Sequence, residues 1–333
     1  MSFPELSDKN DFEFHLENIK KLVDATNYLS TVPNFPINNP DHFYQRVDKA
    51  GWWMVTKQIV FRHYIDEYLT ILGKRSYINL FFIDLLSSFG MNKVSKEGGK
   101  DQFIFPGTSL NAALLSNQKE IGFKGIFAND INPNERNVLN ERLKSLNETI
   151  KNKNELDINV SKEKVDSNKW VIGTLENLKK KNRTFNYLMI IDNQGLDIEY
   201  KTIKNIREIH NFGDIIITLQ VAGIKRNLKQ NPEIVKKFFG ISVPAETKKD
   251  KLSNLYKKQL QKLDFGRIEE LNVTTQSGFY YTLLFCCRKG VSGDWLEMIK
   301  YYRNKRFRSW TDADVKRMWD VAVGKSKTMN TYF

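Results

Sequence analysis

Three acidic residues each close a short apolar run: Asp84 after YINLFFI, Asp130 after KGIFAN and Asp192 after FNYLMII. If those runs are neighbouring parallel strands, their carboxyl ends open into one crevice, the place where open α/β sheets bind ligands. Asp84 begins DLLSSFG, in which Ser87, Ser88 and Gly90 are small enough to let a ligand approach the backbone. A carboxylate there suits the ammonium group of a cofactor built from a ribose and an amino-acid tail. Asp130, with Asn129 before it, suits the ribose hydroxyls. Asp192-Asn193-Gln194-Gly195 presents a carboxylate and two amides to an acceptor. In an in-line group transfer the protein mainly supplies alignment, and Asp192 is placed to take a proton. Thr108 and Ser109, in FPGTS, put hydroxyls at a helix start, an anion-friendly position. Lys225 and Arg226, after a fifth apolar run, and Lys257 and Lys258, further on, suit substrate phosphates. The glycine-rich G-x-G-x-x-G fingerprint is absent, so each acidic turn also fits an ordinary polar loop or helix cap. Trp52, Trp53, Lys57 and Arg62 fit the packing of a leading helix better than a site.

Positioning these residues requires alternating strands and helices. Strands are expected at 77–84, 124–130, 169–173, 185–192 and 213–220, all apolar on both parities, as in a parallel sheet covered on both faces. Helices are expected near 107–118, 134–150, 174–181 and 199–210. The second starts clearly, with Asn132 as cap, Pro133 in the first position and Glu135 completing a capping box. Segment 91–106 is expected to be a long loop, and the polar run 151–169 a surface connection. RIEELNVT (267–274) and GFYYTLLFCC (278–287) are joined by so short a link that they must run antiparallel. Five β-α units followed by an antiparallel pair is the element order of the class I methyltransferase sheet, a doubly wound Rossmann-like α/β fold of about seven strands. The cofactor of that fold is S-adenosylmethionine.

The expected organisation has three parts. Residues 1–50 form a helical extension, with a helix near 11–29 and a linker at 31–44. Residues 51–290 form the α/β domain, opened by a helix with Met54, Phe61, Ile65, Tyr68 and Leu72 on one face and carrying a basic helical insertion at 223–265. Residues 291–333 form a basic helical tail, with a capping-box-like start at Thr311 and Asp314. No apolar stretch is long enough for a membrane span, and the acidic N-terminus lacks a secretory signal, so a cytoplasmic protein is expected. Cys286 and Cys287 are adjacent on a strand and point to opposite faces, which disfavours a disulfide or a shared metal. The four histidines, at 15, 42, 63 and 210, have no metal-ligand spacing.

The net charge of +13 is unevenly spread. Residues 224–270 carry twelve Lys/Arg against six Asp/Glu, and residues 288–333 carry eleven against five. A localised basic surface points to a polyanion, nucleic acid first, although a lysine-rich proteome gives the same pattern.

Taken in order, Trp53 with Lys57, FIDLLSSFG, FPGTSL, ANDINP, IDNQG, Tyr256 and SGFYYTLLF resemble the three-Cys-motif partner protein family, over roughly residues 50–300. The resemblance implies a class I methyltransferase fold and a companion protein whose three-cysteine motif is similar to that of a radical S-adenosylmethionine enzyme. The family's first turn reads D-x-F-A-G-x-G; Asp84 and Gly90 match, while Ser88 stands at the first glycine. Its fourth-strand motif reads D-P-x-G; Asp192 and Gly195 match, while Asn193 replaces proline. The leading expectation is an S-adenosylmethionine-dependent methyltransferase acting on nucleic acid. The alternatives are a non-catalytic module that docks substrate or a companion enzyme, and a nucleotide-processing enzyme with Mg²⁺ on Asp84, Asp130 and Asp192.

Overall fold

A computed structural model describes residues 11–37, 39, 41–47, 52–75, 77–95, 102–150, 155–193, 195–274, 280–288 and 312–324. Gln194, the 275–279 link and Thr311 with most of the expected tail helix lie outside the described residues.

The central sheet holds seven strands: β2 (Asn79–Asp84), β5 (Gly125–Ala128), β6 (Asp157–Val160), β7 (Phe185–Ile191), β8 (Gly213–Leu219), β9 (Arg267–Thr274) and β10 (Tyr280–Cys287). Their spatial order is β6-β5-β2-β7-β8-β10-β9. The five strands from β6 to β8 are parallel; β10 runs antiparallel to both β8 and β9. This is the strand order of a class I methyltransferase sheet, with its reversed strand next to the fifth β-α unit. Both faces are covered, so successive side chains enter different cores. On β2, Leu80 and Phe82 join one hydrophobic cluster and Phe81 and Ile83 the other. On β7, Leu188 and Ile190 alternate with Tyr187, Met189 and Ile191 in the same way.

One expected strand is a helix. Residues 169–173 lie inside α5 (Ser167–Lys181), and the third parallel strand is instead β6, within the supposed polar connection. The helix has a local cause. Asp166 caps it by accepting from the Asn168 amide at 2.9 Å, and Val171, Leu175 and Leu178 bury one face at i, i+4, i+7 spacing. β6 is a four-residue edge strand with only its last residue, Val160, buried, so it lacks an apolar signature.

The expected loop 91–106 is a second correction. It contains β3 (Met91–Ser95) and β4 (Gln102–Pro106), an antiparallel pair extended by β1 (Tyr44–Val47), which runs parallel to β3. Buried Arg142, on α4 (Pro133–Ile150), fastens this small sheet to the large one. Its guanidinium donates to the carbonyls of Pro36 (2.8 Å), His42 (2.8 Å) and Phe89 (2.8 Å). Asn132 caps α4 as expected, accepting from the Asn134 amide at 3.0 Å, while its amide donates to Glu135. Residues 11–31 form α1 (Asp11–Thr31), which packs on α2 (Trp52–Leu72), on β4 and on α10 (Asp312–Ala322). Thr26 on α1 donates to the Ile104 carbonyl at 2.9 Å. The other α-helices among the described residues are α3 (Thr108–Gln118), α6 (Tyr200–Ile209), α7 (Val221–Gln230), α8 (Pro232–Phe239) and α9 (Lys249–Leu260).

Candidate active site

The ends of β2 and β5 are joined by short hydrogen bonds that fix the turn after Asp84. The Asn129 amide donates to the Asp84 carbonyl at 2.9 Å, and the Ser87 amide and hydroxyl both donate to the Asn129 carbonyl, at 3.0 and 3.1 Å. Ser88 has φ +49°, in the left-handed region that glycine fills without strain, and Gly90 has φ +73°. The Ser88 amide donates to Asp130 Oδ2 at 3.0 Å, and the Asn132 amide to Asp130 Oδ1 at 3.0 Å. Asp130 thus caps the first turn and starts α4; each of its oxygens keeps a lone pair for a further donor. Phe89 stacks on His42, with ring centroids 6.2 Å apart.

Asp84 is fully buried. The hydroxyls of Thr108 and Ser109 donate to its Oδ2 at 2.5 and 2.8 Å. Burial, with Asp192 nearby, raises its pKa to about 6, against the pull of the two hydroxyls. The two hydroxyls spend their protons on Asp84, so their direct part is to hold that carboxylate.

At the end of β7, Asp192 pairs with Lys57 of α2, whose side chain is only 3% exposed. The Lys57 ammonium also lies 4.9 Å from the Trp53 ring centroid, and the Tyr281 hydroxyl donates to the Trp53 carbonyl at 3.2 Å. Asn193 is buried, and its Nδ2 points toward the Thr218 carbonyl at 3.5 Å. Lys57, read from the sequence as packing, is therefore an electrostatic partner of the candidate acceptor residue. The signal was a lysine on an apolar stripe, three residues after Met54 and four before Phe61.

Six buried side-chain atoms at four adjacent strand ends have no hydrogen-bond partner among the described residues. They are Asp84 Oδ1 on β2, Asn129 Oδ1 after β5, Asp192 Oδ1 and Asn193 Oδ1 after β7, and Thr218 Oγ1 and Gln220 Nε2 at β8. Each such group costs about 1–3 kcal/mol if nothing satisfies it. Thr218 and Gln220 were not singled out from the sequence, though they interrupt the apolar run IIITLQ.

The basic residues expected at phosphates are dispersed. Lys225 donates to the carbonyls of Ala245 (2.9 Å) and Thr247 (2.7 Å), so it clamps a loop. Lys257 lies 3.9 Å from Glu270; Arg226 and Lys258 are exposed. Among the described residues, no group of three or more His, Cys, Asp or Glu could hold a metal ion, and no helix is long and apolar enough to cross a membrane.

No family model and no curated protein matches the chain. Solved structures are similar at low identity. Protein LPL1258 from Legionella pneumophila is 13% identical, with 74% of this chain and 92% of that chain covered and a TM-score of 0.44. Trm1 from Pyrococcus horikoshii, in complex with S-adenosylmethionine, is 12% identical over 70% of this chain and 56% of that chain, with a TM-score of 0.37. An O-methyltransferase from Bacillus cereus, in complex with S-adenosylhomocysteine, is 10% identical over 85% and 93%, with a TM-score of 0.35. The fold assignment rests on the strand order.

Proposed function

We propose that this chain is an S-adenosylmethionine-dependent methyltransferase acting on nucleic acid. The observation that carries the reading is the row of unsatisfied buried polar atoms along the carboxyl ends of β2, β5, β7 and β8. Native proteins rarely leave such groups unpaired, and a polar ligand in that crevice would satisfy them. The residues present fit the cofactor. Asp84 Oδ1 would take its ammonium, Asp130 would accept from its ribose hydroxyls, and Ser87, Ser88, Gly90 and Asn129 would shape the wall beside it. S-adenosylmethionine supplies a methyl group on a positively charged sulfur. Asp192, steadied by Lys57, would accept a hydrogen bond from the acceptor through Oδ1 and take its proton; Asn193 and Gln194 would orient it. Nucleic acid as acceptor is supported by the uneven positive charge.

A second reading has its own support. Ser88 at a glycine position, and a lysine already holding Asp192, fit a non-catalytic module that docks substrate or a companion enzyme. Incubating the protein with methyl-labelled S-adenosylmethionine and bulk RNA or DNA separates the two. Transfer that Asp192→Asn lowers by about 10²-fold supports catalysis. Cofactor binding without transfer to any nucleic acid supports docking.

A further inference from the structure

Two clefts lie away from the candidate active site and meet at Asn182. The first, of about 970 Å³, runs along edge strand β6 between α4 and α5. Lys124, Lys144, Lys162, Lys169 and Lys181 line it, all exposed, against two acids, Asp157 and Glu163. None of these lysines is ion-paired among the described residues, whereas Lys204, Lys236 and Lys237 on α6 and α8 each face a glutamate within 3.7 Å. Half-buried Trp170 stands among the five lysines. The second cleft, of about 870 Å³, continues past the amino ends of β2, β7 and β8 and adds exposed Arg75 and Arg183, with Phe212 57% exposed on its wall. One wall residue of the first cleft is bonded to a candidate-site residue. Val165, on its wall, accepts from the Asn129 side chain at 3.2 Å, one residue from Asp130.

We propose that these two clefts form one track for a single-stranded nucleic acid that leads to the crevice beside Asp130. The track rests on the nucleic-acid part of the proposed function and not on methyl transfer. Unpaired cations at intervals along a groove bind a phosphate backbone, and exposed aromatic faces between them stack bases. An acidic protein would use the cations and leave the rings without a role. On the basic helices α7 and α9, where the charge count alone pointed, the Lys225 ammonium clamps a loop and Lys257 faces an acid, while Arg226 and Lys258 stay exposed.

The test is fluorescence anisotropy with a labelled mixed-sequence single strand of about 20 nucleotides, as RNA and as DNA, across a salt series. Two variants remove equal charge: Lys144→Gln/Lys162→Gln/Lys169→Gln/Lys181→Gln on the track, and Lys201→Gln/Lys204→Gln/Lys236→Gln/Lys237→Gln on α6 and α8. The track variant should weaken binding at least about tenfold and flatten the plot of log K against log salt by about 2–3, since each lost phosphate contact removes about 0.7. The α6/α8 variant should change affinity less than about twofold, and both should melt with the wild type. Equal losses in the two variants, no binding by the wild type, or displacement by poly-glutamate as effective as by RNA would overturn the track. Calorimetry with S-adenosylmethionine on the same proteins keeps the readings apart. Lost oligonucleotide binding supports the track even if the cofactor never binds, and unaltered oligonucleotide binding overturns it even if the cofactor does.

Discussion

Ser88 is held at φ +49° because its amide must reach Asp130 while the chain turns away from β2. A non-glycine residue in that region costs about 1–2 kcal/mol, partly offset by the larger unfolded-state entropy of glycine. Ser88→Gly should therefore raise the unfolding free energy by about 0.5–1 kcal/mol, read by urea denaturation; a loss would show that the side chain contributes more than the strain costs. Lys57 and Asp192 form a buried pair. Removing one partner leaves a charge uncompensated, at about 3–5 kcal/mol. Lys57→Met should cost that much, and Lys57→Met/Asp192→Leu should recover most of it; a double variant as unstable as the single one would contradict the pairing. Asp84 has its folded-state pKa raised to about 6, so folding favours its protonated form. The contribution is fully present below the ordinary carboxylate pKa and is lost as pH rises through about 6. Stability of the wild type relative to Asp84→Asn should thus fall by about 2–3 kcal/mol between pH 4 and pH 7.5. An unchanged difference across that window would mean that Asp84 is not so shifted.

At the scale of elements, much of the fold was legible because buried parallel strands are apolar on both parities. β2, β5, β7 and β8 lie within their expected limits, and β9 and β10 form the antiparallel pair expected from their short separation in sequence. β6 was not legible: an edge strand of four residues with one buried side chain looks like a polar connection. KWVIG misled because a strand and the start of an amphipathic helix look alike over five residues; the Asp166 cap and the later Leu175 and Leu178 decide for the helix. The acidic strand ends were visible as residues but not as partners, because a pair such as Lys57–Asp192 spans 135 positions and has no local signature. Arg142 escaped notice for the same reason, since its three carbonyl acceptors come from two distant segments. Arg142→Leu should leave those carbonyls unsatisfied and cost about 3 kcal/mol or more. Differential scanning calorimetry would check this, and an unshifted transition would mean that the small sheet does not need the clamp.

Over the whole molecule, the doubly wound sheet aligns the carboxyl ends of four adjacent strands and sets there buried carboxylate and amide atoms without partners among the described residues. These strand ends are where the cofactor would bind. Isothermal titration calorimetry with S-adenosylmethionine and S-adenosylhomocysteine, on the wild type and on Asp130→Ala, tests it most directly. Ionised Asp84 is the form that attracts an ammonium, so binding should be tighter at pH 7.5 than at pH 5.5. Binding should be micromolar, and Asp130→Ala should weaken it at least about tenfold through the lost ribose contact. A folded wild-type protein that takes up neither compound would contradict this placement.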